Sequence, residues 1–388
     1  MTNILAFGFL FNGIRILTGA FIVFYMLEKG LTLIDIGIIK SFQAFIIMVT
    51  DIPLGYFADR KSYKISIVLA AAFAATWLFL MGVSTSFYGF LLAESFNALS
   101  LTLIAGAYNA LLVQYAKAKL TSTKKVLGLS SQYNYVGMFI FSLIGAYFAD
   151  YSSQYIWYIA VFLMLMTTLF GLFCLDDLKG QRKPSHGNAL QKNSLICEAK
   201  EMVSIFVKVP YISLCFYFSL IFFNIFSQYW QWIFKDHHIH VTYFDLGVTF
   251  SLILLSQLLA SFLFTKLSET INFVLLLFLS VSMIFTVAFF EPRKEIAVIL
   301  VCMIFYLIKY TYLRVEVILH DRISDHFRAT YESFLSTVGR LSLLVFFYMS
   351  ASMVNRFGFF SLVYIFALYL LIYLLAVFFL EETRKKFQ

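Results

Sequence analysis

The sequence predicts an all-α membrane protein of twelve transmembrane helices in two pseudo-symmetric six-helix halves. Three observations predict it. Hydrophobic residues make up 61% of the 388 and charged residues only 13%, with a mean hydropathy of +0.86. A soluble chain carries about a quarter charged residues, so this composition needs lipid as its solvent. Apolar runs long enough to cross hydrocarbon recur along the chain, and one long polar stretch, 176–208, divides them near the middle. The two sides of that break also repeat weakly. Ala107-Tyr-Asn-Ala-Leu-Leu-Val-Gln-Tyr115, a basic loop and Gly128 to Gly137 parallel Tyr312 to Asp321, Arg328-Ala-Thr330 and Ser333 to Gly339.

The first span, 4–27, has no basic segment before it and is long enough to cross rather than be cleaved, so it is read as a helix and not a signal peptide. The spans that follow are 34–57, 66–84, 87–115, 127–149 and 155–175, then 208–233, 243–265, 271–290, 295–320, 330–354 and 358–380. The expected organisation is a first bundle over 1–178, a linker over 179–207 and a second bundle over 208–388. Within the linker, Pro184-Ser-His-Gly187-Asn188 interrupts any helix. Beyond it Leu195, Ile196, Ala199, Met202, Val203 and Phe206 recur at helical spacing opposite Lys192, Lys200 and Glu201, as in a helix lying on a membrane surface.

The formal charge of +8 is distributed by loop. Alternate connections and the C-terminus hold most of the Lys and Arg, including Arg60, Lys61, Lys64, Lys117, Lys119, Lys124, Lys125 and Arg384 to Lys386. The opposite set holds Lys29, Lys235, Arg293, Lys294 and Arg356. The positive-inside rule then places both termini in the cytoplasm of a multi-pass protein of the cytoplasmic (inner) membrane. The basic excess is topological, and no nucleic-acid partner is expected. Cys174, Cys197, Cys215 and Cys302 show no paired spacing, so neither a disulfide framework nor a metal site is expected. His237-His-Ile-His240 is read as a solvated outer loop, and Trp230 and Trp232 as an interfacial belt. No phosphate-binding loop, His-Glu-x-x-His, Gly-x-Ser-x-Gly or paired midplane carboxylate occurs, which argues against an enzyme, direct ATP use or a cofactor.

One charged stretch stands between two long apolar runs: Asp51-Ile-Pro53-Leu-Gly55-Tyr-Phe-Ala58-Asp59-Arg60-Lys61-Ser-Tyr-Lys64. Its charges must lie outside hydrocarbon, and it is read as a loop. The pattern Gly55-x-x-Ala58-Asp59-Arg60-x-x-x-Lys64 resembles the signature between the second and third helices of the major facilitator superfamily. Asp51-x-Pro53 resembles a bacterial subset of it. Ser62 and Tyr63 depart from the family's glycine and arginine, and Ser62 is expected to weaken the turn. Gly106-Ala-Tyr-Asn-Ala-Leu-Leu112 and Arg328-Ala-Thr330 also resemble family segments, with Asn109 standing where an acid is common. The resemblance implies two bundles with a substrate site between them near the midplane, lined by the first, fourth, seventh and tenth helices. Asp51, Gly55, Asp59, Arg60, Lys64 and Arg328 then form an inner gate, in which Asp59 accepts from amides that open the eleventh helix.

Ionisable residues inside the spans mark function, because each is costly in hydrocarbon unless it faces a cavity or a partner. They are Arg15, Lys40, Lys309, Arg314 and Arg340 against Asp51, Glu94 and Glu316. By helical rise, Arg15, Lys309, Arg340 and Asn97 fall near mid-membrane. Asn12, Arg15 and Thr18 share one face of the first span, Glu94 and Asn97 one face of the fourth, and Asn224, Ser227, Gln228 and Gln231 one face of the seventh. Such stripes line a water path or a helix contact, and Arg15 and Lys309 are read as cavity-facing rather than as structural ion pairs. Lys40 can pair with Glu94 or extend to the interface, the latter being the commoner outcome.

The expected activity is alternating-access secondary transport of a small organic solute with anionic or carboxylate groups. Arg15, Asn12, Asn97, Asn224, Gln228, Lys309 and Arg340 are the candidate substrate contacts. If a proton is the coupling ion, Glu94 is its candidate carrier. A monomer with a small-molecule substrate and the bilayer as partners is expected. Two alternatives stay open: a multidrug or metal-chelate (siderophore-type) exporter with an aromatic pocket, and a non-transporting receptor on the same scaffold.

Overall fold

The computed structural model describes residues 2–176, 210–236, 239–266, 282–283, 293–322 and 325–386. Among the described residues the chain is helical, with no strand. Two compact units emerge, Met1–Leu190 with Thr242–Ser251, and Gln191–Val241 with Leu252–Gln388.

The first unit contains α1 (Thr2–Gly19), α2 (Ile22–Glu28), α3 (Leu33–Arg60), α4 (Tyr63–Val83), α5 (Phe87–Ala118), α6 (Thr123–Ala149) and α7 (Tyr155–Cys174). The span expected at 4–27 is broken: α1 and α2 meet at a 40° bend after Gly19. Ala20 and Phe21 are fully buried at the break. There the Phe21 amide donates to the Thr18 carbonyl at 3.3 Å, a tighter bond than the helical register. A capping box starts α3, with the Asp35 amide donating to Thr32 Oγ1 at 3.2 Å and the Thr32 amide to Asp35 Oδ2 at 2.8 Å.

α3 runs unbroken through Pro53 to Arg60. The stretch read as a loop from Asp51 is therefore the end of a helix that projects past the apolar segment. Charge removes a segment from hydrocarbon but does not unwind it, and only Lys61 and Ser62 connect α3 to α4. Ser62 has extended backbone, φ −173°, where no glycine is required, and its Oγ accepts from the Ile65 amide at 3.3 Å. The residue expected to weaken the turn instead caps the next helix.

α1 packs on α6 and α7, α4 on α5 and α7, and α3 on α5. Glycine lets α1 and α6 approach at backbone distance. A Cβ on Gly137 would lie 2.5 Å from the Phe9 carbonyl oxygen, and one on Gly145 would overlap the Leu17 carbonyl. Without water to drive apolar surfaces together, such close van der Waals packing is what joins membrane helices.

The second unit contains α8 (Pro210–Tyr229), α9 (Trp232–Asp236), α11 (Lys294–Arg322), α12 (Asp325–Phe357) and α13 (Phe360–Lys386). α8 packs against α11, α12 and α13. Buried hydroxyls find carbonyls or each other: Tyr369 OH lies 2.6 Å from Ser219 Oγ, and Tyr229 OH donates to the Phe347 carbonyl at 2.9 Å. Trp230, expected at an interfacial belt, is 1% exposed at the break between α8 and α9. After α9 comes α10 (Tyr243–Lys266), whose residues are divided between the two units. Its first residues belong to the first unit: the Phe244 amide donates to Asp150 Oδ1 at 3.2 Å, Tyr243 OH donates to Glu28, and Ser251 Oγ lies 2.7 Å from Ser142 Oγ.

Each expected span falls on a described helix except 271–290, which lies outside the described residues almost entirely, as does the amphipathic linker helix. Among the described residues seven helices, or eight counting the bent α1–α2 pair as one, are long and apolar enough to cross a membrane.

Candidate functional site

Four helices of the first unit bring charge together in its buried layer. Arg15 projects from the middle of α1, one turn after Phe11. Glu94, Asn97 and Ser100 descend α5 in steps of three, which keeps neighbours in reach of each other. Lys40 comes from α3, and α4 contributes Trp77 and the carbonyl of Ala70.

The contacts form one chain. Lys40 Nζ stands 2.9 Å from Glu94 Oε1. The other carboxylate oxygen accepts from Asn97 Nδ2 at 2.8 Å. Asn97 Oδ1 accepts from Arg15 Nη2, Arg15 Nη1 donates to Ser100 Oγ at 3.4 Å, and Ser100 donates to the Ala70 carbonyl at 2.7 Å. Chemistry fixes the Asn97 amide this way round, because a guanidinium only donates and a carboxylate only accepts. The guanidinium carbon lies 4.7 Å from the Trp77 ring centroid and 5.5 Å from that of Phe11. Two rings and two hydrogen bonds thus hold the guanidinium in place.

Glu94 is fully buried, Asn97 is 4% and Lys40 7% exposed, and Arg15 is half-buried. Lys40, expected to reach for the interface, is drawn inward by a carboxylate on the neighbouring helix. With Lys40 and Arg15 against the single acid Glu94, the cluster carries a net positive charge. Among the described residues no carboxylate is in ion-pair contact with Arg15, whose link to Glu94 runs through Asn97.

Other expected site residues lie elsewhere. Asn12 donates back to the Gly8 carbonyl of its own helix at 3.0 Å. In the second unit, Asn224 does the same with Leu220 at 2.8 Å, while Gln228 Nε2 is buried without a hydrogen-bond partner among the described residues. Lys309 on α11 is half-buried, its ammonium 5.6 Å from the Tyr312 ring centroid, and Tyr312 OH donates to Glu316 at 3.4 Å. Arg340 is half-buried on α12, and Arg314 is 7% exposed on α11.

Of the gate residues, Asp51 is exposed within α3, Gly55 has open space around it, and Arg60 lies over the Tyr56 ring at 4.6 Å. Lys64 is half-buried in the first turn of α4. The side chains of Asp59 and Arg328 lie outside what is described, as do His237 and His238; His240 is exposed. No group of metal-binding side chains occurs among the described residues. Sequence reasoning missed Trp77 and Ser100. Ser100 carried a signal, one further step of three from Asn97, whereas Trp77 carried none.

A polytopic helical protein with a charged cluster inside its first bundle is the architecture of a membrane transporter. The sequence matches the Major Facilitator Superfamily over residues 3–311, and the chain belongs to that family. Its structure is similar to that of the nucleoside transporter NupG, with 16% identity, TM-score 0.74, and 97% of this chain and 98% of that one covered. It is also similar to an inward-facing bacterial homologue of the human lysosomal transporter Spinster, with 16% identity, TM-score 0.68 and coverages of 92% and 82%. For the inward-open xylose transporter XylE from E. coli the values are 13%, 0.65, and 97% and 94%. At these identities the likeness is one of fold. No curated protein matches the chain in sequence at a significant level.

Proposed function

We propose that the chain is an alternating-access secondary transporter for a small organic anion, with Arg15 as the principal contact for the anionic group. The observation that carries this reading is the state of Arg15. It is a permanent charge inside a membrane-spanning helix, held in place by Trp77, Asn97 and Ser100, with no acid in direct contact among the described residues. A guanidinium has five N–H donors, so one pre-oriented in this way retains donors for a carboxylate or phosphate, which it can meet in bidentate fashion.

Lys309 and Arg340 in the second unit supply further positive charge. Gln228, with its buried Nε2 unsatisfied, and Asn224 supply hydrogen bonds. In this reading residues 1–178 and 208–388 rock against each other about the linker, in a cytoplasmic membrane with both termini inside. The Asp51 to Lys64 motif and Arg328 form a contact that breaks as the inner side opens. Glu94 enters as a counter-charge rather than as the carrier of a coupled proton, because Lys40 already stands against it.

The rings of Phe11 and Trp77 favour a second reading, export of amphipathic or metal-chelating compounds. A thermal-shift screen of the purified protein against organic anions, zwitterions and cations separates the two. Stabilisation by anions that disappears in Arg15→Ala supports the first. Stabilisation by amphipathic cations that survives in Arg15→Ala supports the second and removes Arg15 from the site.

A further inference from the structure

We infer that Lys40 is a built-in counter-cation for Glu94, filling the space beside the carboxylate that a free cation would need. The inference does not depend on the substrate being an anion.

A carboxylate with no exposure in a membrane-spanning bundle needs a positive charge or a proton beside it. Three things can supply the charge: a proton, a small metal ion such as sodium, or a side chain. In this chain the ammonium of Lys40, from a different helix, stands 2.9 Å from Glu94 Oε1. Both residues are more than nine-tenths buried. The second oxygen accepts from Asn97, which also holds Arg15, so one carboxylate oxygen faces the Lys40 ammonium and the other an amide. A tethered ammonium cannot dissociate with the cargo. It keeps the charge of the site constant through the cycle, and the carboxylate then has no vacancy for sodium.

The consequence is testable without knowing the substrate, because removal of the tether should create a sodium site. Lys40→Ala leaves space and a carboxylate with no cation in contact; Lys40→Ala with Glu94→Gln leaves the same space and no carboxylate charge. The comparison therefore isolates charge from packing. Thermal stability of the wild type and both variants is measured in about 100 mM sodium chloride against choline chloride. A ligand that binds only the folded state at about ten times its dissociation constant raises the midpoint by about 3 °C.

The expected result is a sodium-specific rise in Lys40→Ala and in neither of the others. Recovery of the double variant where Lys40→Ala alone fails to fold has the same meaning, because then the naked charge is the defect. Sodium-specific stabilisation of the wild type would overturn the inference. So would equal sodium responses of the two variants, or equal failure of both to fold while Lys40→Met folds normally, since Lys40 would then act by filling space.

Discussion

The guanidinium carbon of Arg15, on α1, lies over the Trp77 ring of α4, 4.7 Å from its centre. This relationship makes a charge inside the bundle tolerable without an acid touching it. The ring offers its negative face, while Asn97 and Ser100 take two of the donors.

Replacement of Trp77 by Leu is expected to leave the fold intact and to weaken binding of any anion that engages Arg15. A desolvated cation–π contact contributes about 0.5–2 kcal/mol, or roughly a 2- to 30-fold rise in dissociation constant. Calorimetric titration of wild type and Trp77→Leu with the most stabilising anion checks this.

Asn97 separates a cation from an anion, and the two obvious changes act differently. Asn97→Leu strips one hydrogen bond each from Arg15 and Glu94, at a cost to stability of about 2–4 kcal/mol, read as a lower unfolding midpoint. Asn97→Asp puts a carboxylate against Arg15. It also sets a second oxygen against Glu94, and is expected to bind no anion at Arg15.

Glycine at 145 is needed for proximity. Gly145→Ala would drive a methyl group into the Leu17 carbonyl and part α1 from α6, a loss of about 1–3 kcal/mol. Gly128→Ala in the same helix, where nothing lies within 4 Å, is expected to be neutral or slightly stabilising. Melting curves of the two variants in one detergent make the comparison.

Ser62 is expected to matter as a cap. Ser62→Ala should destabilise the start of α4 by about 1 kcal/mol, and Ser62→Gly by only a few tenths, visible as faster amide exchange at Ile65.

These residues also show what the sequence could and could not tell. Arg15, Asn97 and Glu94 stood out because spacing puts them on known helix faces and charge in a span demands a reason. Lys40 was legible as a charge but not as a buried one. Its direction depends on Glu94 in another helix, and helix–helix register is not written in local periodicity. Trp77 had no distinguishing mark among many apolar residues of its span. The first span reads as one helix, without the bend after Gly19. The run from Asp51 to Arg60 reads as a loop and is helical, since charge does not end a helix and α3 continues to the cap that starts α4.

The most direct measurement of the central claim is the dissociation constant of the best-binding organic anion for wild type and for Arg15→Gln, which removes the charge while keeping hydrogen-bonding capacity. Loss of a buried charge-assisted contact of about 2 kcal/mol or more predicts affinity lower by ~30-fold or beyond, with a correctly folded variant. An affinity within about twofold of wild type would contradict the assignment, since less than about 0.5 kcal/mol would then depend on Arg15.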